Sequence, residues 1–419
     1  MPDSKGNETS GKEAPQNSFQ VAPPSITMPK GGGAIRGMGE KFAANPVTGT
    51  GSMTVPIATS PGRSGFGPQL SLSYDSGASN GPFGFGWSLS MPSITRKMDK
   101  GLPRYFDAEE SDVFILSGAE DLVPTLTRNP AGQWVPESVP DRTVDNETYK
   151  IRRYRPRIEG LFARIERWTN IQKSDDTFWR SISKDNITTW YGKTAESRIA
   201  DPVNPSRIFS WLICQSYDDK GNVLVYGYKP EDSKKVDVTQ AHERNRIDQF
   251  PSAQRYLKRI RYGSRKPYLP KLKENEPWPE PPGVTVEDGS EHWLFEVVFD
   301  YDEPHYQEQA ADAQGRVLAT ASAKVPQNAN WPVRNDPFST YRAGFEVRTY
   351  RLCQRVLMFH HFPEEADVGK DYLVRSTDFT YSQEQDPKNV RNPIYSFLLS
   401  VTQSGYKRKN GSYLKRSLP

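Results

Sequence analysis

The sequence is poor in the features that mark several protein classes. Its 419 residues include only two cysteines, Cys214 and Cys353, which excludes a disulfide framework, and we predict that both are buried free thiols. No stretch approaches the roughly 20 continuous apolar residues that a bilayer span requires, so we expect no direct membrane insertion. The first thirty residues lack the apolar core of a secretory signal, and we expect any export to use another route.

The sequence also lacks a large excess of positive or negative charge. The 55 Lys+Arg and 51 Asp+Glu residues leave a net charge of +4, so nucleic acid is not an expected partner. Basic residues do cluster at two places, but alternation along strands would place them on solvated or ion-paired faces. The clusters are Arg152, Arg153, Arg155 and Arg157, and Lys258, Arg259, Arg261, Arg265 and Lys266.

The sequence is rich in turn-forming residues. It has 31 glycines and 35 prolines, while its hydrophobic fraction is only 35% and its mean hydropathy is -0.75, which together favour an all-β chain of short strands. We predict a flexible polar tail at residues 1–29, a Gly/Pro-rich region at 30–130 and an aromatic-rich strand region at 131–419. A proline cluster at 267–283 predicts a surface connection, because proline cannot run through a central sheet.

Periodicity places individual strands and turns. Residues 69–75 alternate, with Leu70, Leu72 and Tyr74 on one face of a half-buried strand. Residues 217–222 carry a glycine where a hairpin needs a left-handed residue, and residues 312–316 repeat the pattern more weakly. Further strands are predicted at 178–183, 189–191, 208–217, 256–262, 293–301, 344–351 and 373–381, and two short helices at 239–245 and 307–314.

The segment 76–87 mixes glycines with large aromatic rings. Glycine permits positive φ and close backbone approach, while Phe83, Phe85 and Trp87 supply burial that the glycines cannot. We therefore predict an ordered, packed loop.

Two patterns approach nucleotide-binding loops without matching them. Gly192, Lys193 and Thr194 end like a phosphate-binding loop, but Ile187 stands where the first glycine should be, which favours a turn after a strand. The glycines at 31–39 lack the GxGxxG spacing. We predict no cofactor-binding residues.

Residues for metal or acid–base chemistry are sparse. An adjacent pair such as His360 and His361 would point to opposite faces of a strand, and no paired Cys or His spacing indicates zinc. We find no support for a nucleophilic catalytic triad in the sequence. Glu274 and Glu276 form a Glu-x-Glu pair like that of arginine-modifying ADP-ribosyltransferases, but its place in the proline-rich connection favours a solvated charged loop. The other histidines are His242, His292 and His305; we predict no catalytic residues, no metal site and no enzyme activity.

Residues 28–124 carry a more specific pattern. It opens with PKGGGAIRGMG at 29–39 and continues through EKF at 40–42, NPVTGT at 45–50 and SPGRSGFG at 60–67. The rest lies at 73–76, 81–87, 101–105, 109–113 and 117–124. This stretch resembles the SpvB domain, which is shared by the B component of insecticidal toxin complexes (Tc toxins) and by Salmonella-type SpvB virulence proteins.

The resemblance implies a fold and a function. In toxin complexes, the B and C components form a hollow shell of stacked β-strands, related to Rhs/YD-repeat proteins, that holds the toxic C-terminal region of the C component. We therefore expect stacked antiparallel strands that form an extended wall of such a shell. The implied partners are the C component, the toxic cargo polypeptide and, through regions beyond this sequence, the A component channel. The implied location is extracellular after export from the bacterial cytoplasm.

Two other functions stay open. In SpvB-type proteins a separate C-terminal domain ADP-ribosylates actin, so this chain could be the delivery or accessory module of such a toxin. A β-rich adhesin or carbohydrate-binding module is suggested only by the 20 tyrosines and 9 tryptophans. Glycan-array binding would support that last reading.

Overall fold

The computed structural model describes residues 40–44, 49–117, 121–144, 146–173, 175–246, 253–271, 280–281, 291–326, 329–382, 395–409 and 411–417. Within them the chain is all-β, as predicted, and its only helices are three single 3-10 turns at Arg63–Gly65, Asp107–Glu109 and Ala195–Ser197. The polar tail predicted at 1–29, the glycines at 31–39 and most of the proline connection lie outside the described residues.

Twenty-nine strands are formed by the described residues. The first eleven are β1 (Lys41–Ala44), β2 (Gly51–Ile57), β3 (Leu70–Asp75), β4 (Asn80–Gly81), β5 (Gly84–Phe85), β6 (Trp87–Leu89), β7 (Ser93–Arg96), β8 (Phe114–Leu116), β9 (Asp121–Pro124), β10 (Leu126–Arg128) and β11 (Trp134–Pro136). The next nine are β12 (Arg142–Val144), β13 (Glu147–Pro156), β14 (Arg164–Asn170), β15 (Thr177–Ile182), β16 (Thr188–Tyr191), β17 (Arg198–Ala200), β18 (Ile208–Tyr217), β19 (Val223–Pro230) and β20 (Arg255–Ser264). The last nine are β21 (Trp293–Asp300), β22 (Tyr306–Glu308), β23 (Leu318–Ala321), β24 (Phe338–Thr340), β25 (Val347–Thr349), β26 (Arg355–Phe362), β27 (Gly369–Tyr381), β28 (Leu398–Lys409) and β29 (Ser412–Ser417).

Eight of these strands close into an antiparallel barrel. The ring runs β13-β14-β15-β16-β18-β7-β8-β9 and returns to β13. Its interior is filled by apolar side chains from alternate positions, as a barrel of this size requires. They include Ile94, Phe114, Leu122, Tyr154, Ile165, Trp179, Ile208 and Trp211.

The sheet continues beyond the barrel as an open wall. The second half of β18 pairs with β19, and the order then runs β20-β21-β26-β27-β28-β29-β23-β22, antiparallel throughout. Strand β18 therefore belongs to both bodies. The predicted stacked antiparallel strands are confirmed, whereas closure of the first eight into a barrel was not predicted.

A second, four-stranded sheet in the order β1-β2-β3-β6 packs on the wall. The alternation predicted at 69–75 is confirmed, because Leu70 and Leu72 are buried and Ser71 and Ser73 face the other way. The apolar face of the small sheet joins wall residues in one core. That core includes Val55, Ile57, Leu70, Leu72, Tyr256, Ile260, Tyr262, Val297, Phe299 and Tyr381.

The predicted hairpin at 217–222 is confirmed and belongs to a recurring five-residue turn. Asp218 accepts hydrogen bonds from the backbone amides of Lys220 and Asn222, and Gly221 has φ +84. The predicted weaker repeat at 312–316 has the same bonds and a φ of +71 at Gly315. Two further copies, at 129–133 and 183–187, were not predicted.

The two predicted helices are wrong. Residues 239–245 form consecutive turns, and residues 307–314 begin in β22 and end in the turn at Asp312. Neither segment offers an apolar face to bury, so local hydrogen bonds and sheet pairing decide its conformation. The strand predicted at 344–351 is also shorter than expected, since only Val347–Thr349 is paired.

The other predicted strands match β15, β16, β18, β20, β21 and β27. The predicted division at residue 130 stays a prediction, although strands on both sides of it share one sheet. Within the described ranges no helix has the length and apolarity to cross a bilayer.

Candidate functional site

The acidic pair considered for ADP-ribosyl transfer, Glu274 and Glu276, lies outside the described residues. The phosphate-loop-like segment is a turn, as predicted. Gly192 has φ +66 and donates its amide to Leu212, and Lys193 forms an ion pair with Glu280.

The predicted placement of the adjacent histidines is confirmed. His360 lies 2.6 Å from the hydroxyl of Ser60, whereas His361 faces the opposite side of β26 and lies 3.1 Å from Glu296. Among the residues that the structure describes, no group of three or more His, Cys, Asp or Glu side chains could hold a metal ion. Both cysteines are buried free thiols, as predicted.

Seven of the nine residues in the two basic clusters form ion pairs, in agreement with the sequence prediction. In the first cluster Arg153 pairs with Glu137, and in the second both Arg259 and Arg261 pair with Glu296. These charges are balanced by carboxylates of the same chain. Further pairs join Arg152 to Glu110, Arg157 to Asp121, Lys258 to Glu303 and Arg265 to Glu364.

One mouth of the barrel is closed by the loop that connects β7 to β8. Arg96, fully buried at the end of β7, lies 2.6 Å from Asp107 and 2.8 Å from Asp112, and it donates a further hydrogen bond to the carbonyl of Ile208. A second buried arginine, Arg167 on β14, lies 2.6 Å from Glu110 of the same loop. We call the β7–β8 loop, together with Arg96 and Arg167, the plug. The sequence analysis missed it because its residues come from separate strands.

Aromatic rings surround both arginines inside the barrel. The guanidinium of Arg96 lies 5.2 Å from the ring of Phe114 and 5.3 Å from that of Trp211, and Arg167 lies 5.1 Å from Phe114. Cation–π attraction of this kind stabilises a desolvated cation. The interior is therefore packed and electrostatically paired, which suits a structural element.

The Gly-rich loop at 76–87 is ordered and packed, as predicted. The amide of Asn80 donates to Asp336 at 2.8 Å, and Arg334 donates to the carbonyl of Gly81 at 2.8 Å. Asp336 also accepts from the amide and hydroxyl of Ser396. The loop is thus fixed to two distant segments of the chain.

Gly86→Ala should show why the loop needs glycine. Gly86 has φ +80, and a Cβ there would lie 2.5 Å from the ring of Tyr74. We expect the free energy of unfolding to fall by about 2–4 kcal/mol in urea titrations. The control is Gly132→Ala, where φ is +79 but nothing lies within 4 Å of the added carbon. Equal losses in the two variants would contradict the close-packing explanation.

Two buried histidines in the wall titrate in opposite directions. Burial, together with the nearby charge of Lys258, lowers the pKa of His305 to about 3. Burial alone would lower the pKa of His361, but hydrogen bonds to Asp371 and Glu296 outweigh it and raise that pKa above 6.5. For Glu296 burial is again outweighed, by His361 and two arginines, and its pKa falls to about 2.

These shifts predict opposite pH effects for two variants. Below about pH 6.5 His305 is protonated in the unfolded chain but not in the native state. The free energy of unfolding therefore decreases as the pH is lowered, by at most about 1.4 kcal/mol per pH unit. His305→Gln should reduce that fall. His361 stabilises the native state below about pH 6.5 and loses this effect as pH rises through its raised pKa, so His361→Gln should cost most in acid. Urea unfolding across about pH 4.5–8 tests both, and parallel profiles for the two variants would refute the assignment.

Comparisons with known proteins identify the family. The family described as SpvB, Salmonella virulence plasmid 65kDa B protein, matches residues 45–362. The mono(ADP-ribosyl)transferase SpvB of Salmonella choleraesuis (strain SC-B67) is 36% identical over 397 residues, which are 93% of this chain and 58% of that protein. The SpvB of Salmonella dublin is 35% identical over the same length. This chain thus spans little more than half the length of these relatives.

Solved structures show the same fold. The N-terminal domain of the effector protein SpvB from Salmonella typhimurium strain LT2 matches with a TM-score of 0.66 and 33% identity, covering 84% of this chain and 98% of that domain. The TcdB2-TccC3 crystal structure matches with a TM-score of 0.70 and 28% identity over 95% of this chain and 17% of that one. The Photorhabdus luminescens Tc holotoxin pore matches with a TM-score of 0.69 and 29% identity, covering 96% of this chain and 17% of that one.

The barrel, the wall and the ordered Gly-rich loop therefore form a structural module of the kind found in SpvB and in Tc toxins. The family match covers more than half of the chain. The chain belongs to the SpvB family.

Proposed function

We propose that this chain forms part of the β-shell of a secreted toxin complex, which encloses a toxic polypeptide and helps to deliver it. The observation that carries the proposal is the continuous antiparallel sheet, from the barrel through β18 to the wall, in a fold matched over 95% of the chain by TcdB2-TccC3. A shell needs surface continuity and paired edges, whereas it needs no convergent set of titratable groups.

The side chains favour this structural role. Buried charged side chains form ion pairs with each other. One example is Arg351 with Glu231, both of which are fully buried. Packed aromatic ladders extend across neighbouring strands; Trp168, Phe178 and Trp190 are one example. Such a rigid wall can isolate the exposed apolar segments of an unfolded cargo from other chains.

The proposal can be tested by exchanging this chain for the corresponding segment of a Tc toxin. We would replace the matching segment of TcdB2 in the TcdB2-TccC3 protein with this chain, purify the chimera and digest it with protease. The expected result is co-elution of both parts on size-exclusion chromatography and protection of the hypervariable C-terminal region of TccC3. An exchange with the SpvB N-terminal domain of Salmonella typhimurium serves as a matched control. A soluble chimera that binds TccC3 but leaves that region open to the protease would overturn the proposal.

We also propose that this chain has no transferase activity of its own. The relatives named mono(ADP-ribosyl)transferase extend well beyond the length that this chain covers, which favours a delivery or accessory role if its context is such a toxin. Incubation of the purified chain with labelled NAD and cell extract should give no label transfer. Label transfer that disappears in Glu276→Gln would show the opposite and would make the Glu-x-Glu pair catalytic.

A further inference from the structure

A pocket of about 570 Å³ lies between three loops. The first loop follows β17 and carries Asp201 and Val203, the second spans residues 241–246, and the third is the connection at 341–346 between β24 and β25. Pockets of about 300–1,000 Å³ are typical of small-molecule sites in proteins. The pocket therefore has the size for a small ligand.

The walls of the pocket are fixed by contacts between loops. Arg246 lies 2.9 Å from Glu243 and also pairs with Glu346, which joins the second loop to the third. Tyr105 of the plug donates its hydroxyl to the carbonyl of Ala343 in the third loop, at 2.5 Å. A preformed pocket loses less conformational entropy when a ligand binds.

The acidic residues and the arginine that line the pocket have partners of opposite charge. Arg246 pairs with two carboxylates, one of which is the lining residue Glu346. The carboxylate of Asp201 lies 3.6 Å from Arg207. A strongly ionic ligand would have to compete with these pairs, whereas a neutral polar ligand leaves them intact.

Three polar side chains of the lining keep hydrogen-bonding capacity for a ligand. The side-chain amide of Asn245 forms no hydrogen bond with the residues that the structure describes, and the imidazole of His242 is about half exposed. Asp201 accepts a hydrogen bond at Oδ1 from the amide of Val203, while its Oδ2 lies beyond hydrogen-bond distance of Arg207. A lining that both donates and accepts suits a ligand with hydroxyl groups, because each hydroxyl also does both.

An exposed aromatic ring stands at the same pocket. Tyr341 is 60% exposed, and its hydroxyl donates to Glu346 at 3.2 Å, which holds the ring in place. Gly344 in the same loop has open space where a side chain would lie, so this position leaves the pocket unfilled. A sugar has an apolar face of C–H groups, which packs on an aromatic ring, and hydroxyls around its edge that need polar partners. The pocket offers both kinds of contact.

We propose that this pocket binds a neutral saccharide. One face of the sugar packs on the ring of Tyr341, and its hydroxyls form hydrogen bonds with His242, Asn245 and Asp201. A sialylated or sulfated glycan is less suited, because its anionic groups would lie beside the carboxylates of Asp201 and Glu346. The inference does not depend on the proposed shell, because it rests on residues of this chain alone.

The test uses the full chain, labelled with a fluorophore, on two glycan arrays. One array carries neutral, sialylated and sulfated oligosaccharides of animal cell surfaces, and the other carries neutral and acidic polysaccharides of bacterial envelopes. The expected result is binding to neutral saccharides, and the array on which they bind identifies their source. Titration calorimetry with the best free oligosaccharide then gives the affinity. No binding to any neutral saccharide, or a preference for the charged ones, would overturn the proposal.

Variants locate the binding. Tyr341→Ala should weaken the affinity by about tenfold, whereas Tyr341→Phe keeps the ring and should weaken it by less than about threefold. Asn245→Ala should weaken it by about fivefold, because the hydrogen bonds of the amide are lost. The matched control is Trp134→Ala, which removes a ring that is 62% exposed but lies outside the pocket and should leave the affinity unchanged. Thermal unfolding shows whether each variant is folded. Equal weakening by Tyr341→Ala and Trp134→Ala would indicate unspecific contact with exposed rings and would refute the site.

Discussion

Arg96→Ala should lower the free energy of unfolding by about 3–5 kcal/mol, because it leaves a buried carboxylate without its counter-ion. Arg96 is fully buried at the barrel mouth, and Asp112, its partner at 2.8 Å, is only 5% exposed. The same change removes the hydrogen bond to Ile208 that joins β7 to β18. Chemical denaturation followed by tryptophan fluorescence measures the loss, since Trp211 and Trp179 lie in the same interior.

The neighbouring residue provides a matched control. Lys97 also forms ion pairs, at 3.0 Å with Asp99 and 2.8 Å with Asp121, but it lies at the surface where water screens the interaction. Lys97→Ala should therefore change stability little. If both variants lose the same stability, the loss at position 96 reflects general strand disruption and the plug has no special role.

Arg351→Met should be comparably destabilising, by about 3–5 kcal/mol. Arg351 and Glu231 are both fully buried and lie 2.6 Å apart, and the guanidinium lies 4.5 Å from the ring of Trp331. Methionine fills much of the volume but leaves the Glu231 carboxylate unpaired in the core. Urea unfolding at neutral pH measures the loss.

A double-mutant cycle makes this test specific. Glu231→Gln alone also breaks the pair, but the double variant Glu231→Gln, Arg351→Met no longer contains an uncompensated charge. Its loss should be smaller than the sum of the two single losses, by about 1–3 kcal/mol. Strict additivity would mean that the pair contributes nothing beyond packing.

Local patterns in the sequence sufficed for the strands that were predicted, such as β3, β18 and β21, and for two of the four copies of the recurring turn. Leu70 and Leu72 alternate with serines, and Gly221 marks the left-handed position, so both features are determined by residues near in sequence. The wrong helices at 239–245 and 307–314 were short segments without an apolar face. There the sheet and local turns decide the conformation.

The barrel could not be predicted, because its closure depends on distant partners. Thr95 pairs with Ser210, and Tyr154 pairs with Pro124 to complete the ring. The placement of the buried Glu166 carboxylate was hidden for the same reason. Arg153 was visible only as a basic residue in an alternating strand, and strand register places Glu166 opposite it.

Strand β18 has a mechanical consequence. Its first half pairs with β7 and its second half with β16 to complete the barrel, and the second half also begins the wall through β19, without a linker between the two bodies. A twist applied to the barrel or to the wall must pass into the other through backbone hydrogen bonds. The barrel and the wall should therefore move as one rigid unit under load. Force applied at the outer end of the wall would therefore reach the plugged mouth without being absorbed by a flexible joint.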